Sequence, residues 1–178
     1  MCIRDSNKIV AVNARYLDGN STRDKTQTAG PRSQGAVWSP GALDRDPVMV
    51  VEGPLDTLSL FTAGVPALAL VGTAGTSWLP DACAGKDVAV GLDNDDQGEQ
   101  GAIRLAKLIA LAGGRPFRCR PSLNDWNDLL MAIGAEALAH QFGTVPYVPP
   151  TPIKPTIAQD PAPRFAYWTR PEYRSSRV

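Results

Sequence analysis

The chain has 178 residues with 18 basic and 18 acidic side chains, enough for one compact domain with extensions and too few for two full-sized ones. No apolar run approaches the ~18 residues of a membrane span, and no secretory signal peptide is visible. Three scattered cysteines, no Cys-x-x-Cys spacing and a single histidine exclude a Cys/His zinc site within this chain, argue against a disulfide framework, and fit a reducing, cytoplasmic setting.

The neutral total hides a pattern. Residues 1–45 hold seven basic and four acidic side chains, residues 46–142 six and twelve, and residues 143–178 five and two. An acidic middle between basic ends suits a divalent metal site beside an anionic partner.

Residues 1–8, MCIRDSNK, have no hydrophobic period and fit poorly as the opening of a domain. A truncated or artefactual start is expected there, with the natural protein extending upstream. Residues 9–17, IVAVNARYL, predict a strand by their β-branched content and alternation, and Asp18-Gly19-Asn20 a turn. The polar, Gly/Pro-containing residues 20–36 read as loop, and Val37-Trp38 as a short strand.

The middle is more regular. Val48–Val51 is a β-branched strand closed by Glu52-Gly53-Pro54, and residues 55–63 are helical, with Gly64 past the end. Residues 66–71 form a second buried strand before a G-T-A-G turn at 72–75, and residues 77–84 a short helix. Residues 87–92 are a third strand, followed by D-N-D-D-Q-G and a helix from about Gly98 to Ala112 with one apolar stripe. Residues 115–120 are a fourth strand, and a last helix runs from near Asp125 to about Gln141. From Gly143 the composition changes. Eight of the sixteen prolines lie in residues 143–178, which read as a flexible tail, and Phe165, Tyr167, Trp168 and Tyr173 alternate there with arginines.

Alternating strands and helices predict an α/β fold, a mostly parallel central sheet flanked by helices, with a small N-terminal β-containing segment. The expected organisation is residues 1–45 as a basic leading segment, 46–142 as the α/β domain and 143–178 as the tail. In such sheets functional residues gather at the carboxyl ends of the strands. Glu52 follows the first strand of the unit, and Asp93 and Asp95 follow the third. Two carboxylates two residues apart repel unless a cation offsets them, and Mg²⁺ takes one or two carboxylates plus waters and phosphates. Alone, D-x-D-x-x-G is also an ordinary strand-to-helix turn. Asp56 fits equally well as a first-turn acid facing the helix dipole. Asp125, Asn127 and Asp128 read first as a helix cap, with a contact behind the metal or to a second metal as the other reading. Trp126 and His140 read as packing and surface residues.

The combination is more specific than its parts. V-V-E-G-P-L-D, then G-T-A-G, then G-L-D-N-D-D-Q-G about forty residues after the glutamate, resembles the TOPRIM domain, a Rossmann-like fold shared by DnaG-type primases, topoisomerases and some nucleases. E-G-P-L-D-T-L-S-L, the later D-W-N-D-L-L and the upstream V-N-A-R-Y-L-D-G look most like primases of bacteria, phages and plasmids. The resemblance implies catalytic and Mg²⁺- or Mn²⁺-binding roles for Glu52, Asp93 and Asp95, with Asp56 as a further metal-binding residue. It implies nucleotide or template contacts for Arg15 and Lys25. Gln97 stands where many members have alanine. The implied activity is template-directed RNA primer synthesis in DNA replication, on single-stranded DNA with NTPs, with a replicative helicase as a further partner and no membrane. Two other readings stay open: a nuclease built on the same carboxylates, and a non-catalytic nucleic-acid-binding module acting with a replication or repair partner.

Overall fold

The computed structural model describes residues 2–5, 8–15, 26–30, 36–70, 77–144 and 146. The chain divides into two units, Met1–Val148 and Pro149–Val178, and all the elements below belong to the first. The turns expected at 18–20 and 72–75, Lys25, and all but the first few residues of the Pro-rich tail lie outside the described residues.

In chain order the elements are β1 (Cys2–Asp5), β2 (Lys8–Arg15), β3 (Thr26–Ala29), β4 (Ala36–Trp38), a 3-10 turn (Ala42–Asp44), β5 (Val48–Val51), α1 (Pro54–Thr62), β6 (Ala67–Leu70), α2 (Leu79–Ala82), β7 (Asp87–Val90), α3 (Asp96–Leu111), β8 (Arg115–Arg118) and α4 (Trp126–Phe142). They build one eight-stranded sheet in the order β3-β2-β1-β4-β6-β5-β7-β8. From β6 to β8 the strands are parallel, with Val50 opposite Leu68 on one side and Val90 on the other. From β6 outward through β4, β1, β2 and β3 the pairing is antiparallel.

The parallel half follows from its residues. Val48–Val51 and Ala67–Leu70 are buried throughout because helices cover both faces, so their sequences are continuous apolar runs rather than alternations. Met49, Val51, Ala67, Ala69 and Ala89 face α1 and α4 through Leu60, Trp126, Leu129 and Leu138. Val48, Val50, Leu68, Val88 and Val90 face the other way, onto Leu79, Cys83, Leu105 and Ile109. Each fully buried Val or Leu contributes about 1.5–3 kcal/mol by leaving water, so these two layers hold the sheet.

Three expectations need correction. Residues 26–29, read as loop, form β3: Thr26–Ala29 pairs with Val12–Arg15, and a partner strand supplies what the local pattern does not. Residues 2–5 form β1, paired with β2 on one side and β4 on the other, although they carry no hydrophobic period. The last helix is interrupted at Gly134, whose φ of 80° and ψ of 165° are not helical. Only glycine adopts that backbone at no steric cost.

Candidate metal centre at the carboxyl edge

Because β5, β7 and β8 are parallel, their carboxyl ends share one edge, and the N-termini of α1, α3 and α4 follow them there. Helix N-termini carry partial positive charge and suit carboxylates. Each of these three has one. Asp95 caps α3, accepting the Gly98 N–H through Oδ1 at 2.7 Å. Asp125 caps α4, accepting the Asp128 N–H through Oδ1 at 2.6 Å. Asp56, in the first turn of α1, accepts the Gly53 N–H through Oδ2 at 3.1 Å. Its Oδ1 accepts the N–H groups of Trp126 at 3.1 Å and Asn127 at 3.3 Å.

Glu52 and Asp93 meet across adjacent strand ends. The parallel ladder runs one bond past β7, from the Gly91 N–H to the Val50 carbonyl at 2.7 Å. The Glu52 carboxylate then takes a hydrogen bond from the Asp93 backbone N–H. That bond favours ionisation, but burial, helped by the charge on Asp95, raises Glu52 above the ordinary glutamate range. Asp93 is pushed up to about 7, first by burial and then by the carboxylates of Glu52, Asp56, Asp125 and Asp95. Its Oδ1 is buried with no hydrogen-bond partner. Asp56 is raised to about 6, by burial first and Asp125 second, against its backbone hydrogen bonds.

The loop bearing Asp93 is held on both sides. A Cβ on Gly98 would lie 2.2 Å from the Asp93 carbonyl oxygen, so only glycine lets α3 start this close. Arg118, the last residue of β8, donates to the carbonyls of Val90 at 2.9 Å and Asp93 at 3.0 Å, and to Glu99 Oε2 at 3.1 Å. Arg120 reaches the same Glu99 oxygen at 2.6 Å. The hydrogen bond from Arg118, followed by the one from Arg120, lowers Glu99 below the usual range. On the far side of the loop the Trp126 indole N–H donates to the Gly91 carbonyl at 2.8 Å.

The structure therefore brings Glu52, Asp93 and Asp95 to one edge, with Asp125 among the charges that act on Asp93. Asp56 is there too, but both of its oxygens accept backbone N–H groups. Arg15 is not brought there. It ends β2, which β1, β4 and β6 separate from β5, and the alternating strand directions put its backbone at the opposite edge. Trp126 is a packing residue, 2% exposed, with a hydrogen bond that its sequence context did not announce. Arg118, Arg120 and Glu99 were missed. R-P-F-R-C-R reads only as a strand, and nothing local shows that its last cations turn back to the Asp93 loop. A cavity of about 370 Å³, lined by Pro47, Met49, Val65, Phe117 and Phe142 among others, opens near the amino ends of the strands and includes none of these carboxylates.

Among the described residues no group of three or more His, Cys, Asp or Glu side chains is arranged to hold a metal ion unaided. The donor set still fits Mg²⁺. The donors are hard oxygens, the Asp93 Oδ1 has no protein partner, and the carboxylates around it repel one another. Mg²⁺ commonly binds through one or two carboxylates and completes its shell with water and phosphate rather than within an all-protein cage.

Residues 49–130 match the family described as Toprim-like. No curated protein matches the chain by sequence. Among solved structures, the Aquifex aeolicus primase (zinc-binding and RNA polymerase domains) is 19% identical with a TM-score of 0.64, over 80% of this chain and 39% of that one. The RNA polymerase domain of Mycobacterium tuberculosis primase DnaG is 22% identical with a TM-score of 0.60, over 78% and 52%. The primase fragment of the bacteriophage T7 primase-helicase protein is 19% identical with a TM-score of 0.59, over 79% and 60%. This chain thus spans only 39–60% of the length of these structures, and at such identities the likeness concerns the fold alone. Within that scope residues 49–130 resemble a TOPRIM domain, in a fold like that of the bacterial and phage primase structures.

Proposed function

We propose that this chain is the TOPRIM-bearing part of a Mg²⁺-dependent primase, which joins ribonucleotides on a single-stranded DNA template. The observation that carries the reading is Asp93. Its buried, unpartnered Oδ1 and its crowding by Glu52, Asp56, Asp95 and Asp125 leave an oxygen and a negative field for a cation to meet.

In the proposed reaction a primer 3′-hydroxyl attacks the α-phosphorus of an NTP. The new phosphodiester bond forms as the bond to pyrophosphate breaks. Mg²⁺, or Mn²⁺, held by Asp93 and Asp95 would offset charge on the triphosphate oxygens. Glu52 is the proposed acceptor of the hydroxyl proton. Burial and the charge on Asp95 raise its pKa, which makes it a stronger base than an ordinary glutamate. Asp56 holds the starts of α1 and α4 together behind the metal, with its oxygens spent on N–H groups. Asp93 and Asp95 keep their spacing because Arg118, Gly98 and the Asp95 cap hold the loop. Arg15 and Lys25 remain proposed template contacts, away from the metal in the case of Arg15. A replicative helicase as partner and a cytoplasmic location belong to the same proposal.

Labelled NTPs, single-stranded DNA and Mg²⁺ test it. The expected result is short RNA product from the wild-type chain and none from Glu52→Gln, with both retaining the same fold by circular dichroism. Cleaved template in place of product would assign the carboxylates to a nuclease. Bound but unchanged DNA would make the chain a binding module for a partner enzyme.

A further inference from the structure

Two arginines converge on one oxygen beside the carboxylate loop, and they are not equivalent. Arg118 and Arg120 are two residues apart at the end of β8, and both donate to Glu99 Oε2. Arg118 also donates to the Val90 and Asp93 carbonyls through its two terminal nitrogens, and its side chain is only 22% exposed. It is part of the scaffold. Arg120 holds Glu99 through one nitrogen, and its side chain is 51% exposed. Its guanidinium therefore faces solvent one shared oxygen away from the group that grips Asp93.

The geometry points to Arg120 as a phosphate-contacting arm of this site, parked on Glu99 until an anion arrives. The ligand class is a phosphate group, from a nucleotide or from a nucleic-acid backbone, and the inference rests on the reading that phosphates are handled at this edge. Three properties support it. The edge is strongly acidic, so an anion arriving there needs protein cations as well as a metal. Arginine offers five donors in a planar fork that matches phosphate, and Glu99 takes one of them from Arg120. An exposed ion pair is weak, whereas a bidentate arginine–phosphate contact is among the stronger charge-assisted contacts, so exchanging one for the other is favourable. When Arg120 leaves, Glu99 keeps Arg118 as its counter-ion and the loop is not released.

Binding of two probes by the full chain tests this: ATP with Mg²⁺ by calorimetry, and a fluorescent single-stranded oligonucleotide by anisotropy across a salt series. Arg120→Gln should weaken at least one probe by about ten-fold, and Arg120→Lys by less. Arg104→Gln, at an exposed arginine on α3, controls for loss of one positive charge. Loss confined to ATP places the arm on nucleotide phosphate. Loss confined to the oligonucleotide, with the salt slope reduced by about one, places it on the backbone. Glu99→Gln should tighten binding, and that gain should vanish in an Arg120→Gln background. A gain that survives there is general electrostatics and overturns the parked-arm account. So does an Arg120→Gln chain that binds both probes no more weakly than Arg104→Gln. A wild-type chain that binds neither probe removes the proposed function along with the arm, whereas normal wild-type binding with an indifferent Arg120 removes the arm alone.

Discussion

The Asp56 carboxylate accepts the backbone N–H of Trp126 at 3.1 Å, joining the first turn of α1 to the first residue of α4 across seventy positions of sequence. Its other oxygen closes the turn at Gly53. A buried side chain, 5% exposed, thus locks two of the three helix starts that frame the acidic edge.

That burial has a pH consequence. Asp56 is raised from 3.8 to about 6, so the folded chain binds its proton more tightly than the unfolded chain does. The stability this contributes is full below the unfolded value and is lost as pH rises toward about 6. The size is on the order of 2–3 kcal/mol, and the metal-free chain should melt higher at about pH 5 than at about pH 7.5. Asp56→Asn should reduce that slope, leaving the part that Asp93, raised to about 7, contributes in the same sense. Calorimetric melting points that rise with pH over this window would contradict the assignment.

Asp93 sets stability against function. Removing its charge relieves repulsion from four neighbouring carboxylates. Asp93→Asn should raise the melting temperature of the metal-free chain at about pH 8.5, where the wild-type group is ionised. The gain should be about 2–4 °C, corresponding to roughly 1 kcal/mol after discounting for solvent screening. The same variant should lose the melting-point increase that Mg²⁺ gives the wild type. An equal Mg²⁺ response in both proteins would take the metal away from Asp93.

Gly98→Ala should damage the loop rather than the core. The added Cβ would meet the Asp93 carbonyl oxygen at 2.2 Å, and because the atoms it meets are all Asp93 backbone, no flexible side chain can yield. Overpacking of this kind costs about 1–3 kcal/mol. The expected signature is weaker Mg²⁺ binding together with a lower denaturation midpoint. An alanine variant as stable and as Mg²⁺-responsive as the wild type would show that α3 starts elsewhere.

Trp126→Phe keeps most of the buried ring volume but removes the indole N–H that serves the Gly91 carbonyl. An unsatisfied buried acceptor costs about 1–3 kcal/mol. Urea unfolding should report a loss of that size with an unchanged slope. A loss under about 0.5 kcal/mol would mean that water replaces the bond.

Much of the fold was readable from local pattern. Strands alternating with helices predicted the parallel sheet, and Val48–Val51 and Ala67–Leu70 are apolar without alternation because both of their faces are covered. Gly64 and Gly113 mark the ends of α1 and α3 through left-handed backbone, which a sequence reports directly. β1 and β3 were not readable. Short strands owe their form to partners: β1 lies between β2 and β4, β3 pairs with β2 at the sheet edge, and T-Q-T-A carries no burial pattern of its own.

The site divides the same way. Residue types, their spacing and the alternation of strands with helices determine that Glu52, Asp93 and Asp95 follow parallel strands, because strand direction alone sends them to one edge. Tertiary structure decides the rest: that Asp56 spends its oxygens on N–H groups, that Asp93 keeps a buried oxygen unpartnered, and that Arg118 grips its loop while Arg120 faces solvent. Those outcomes depend on desolvation and on hydrogen bonds between groups far apart in sequence. No local pattern encodes either, because both arise only when the chain is closed.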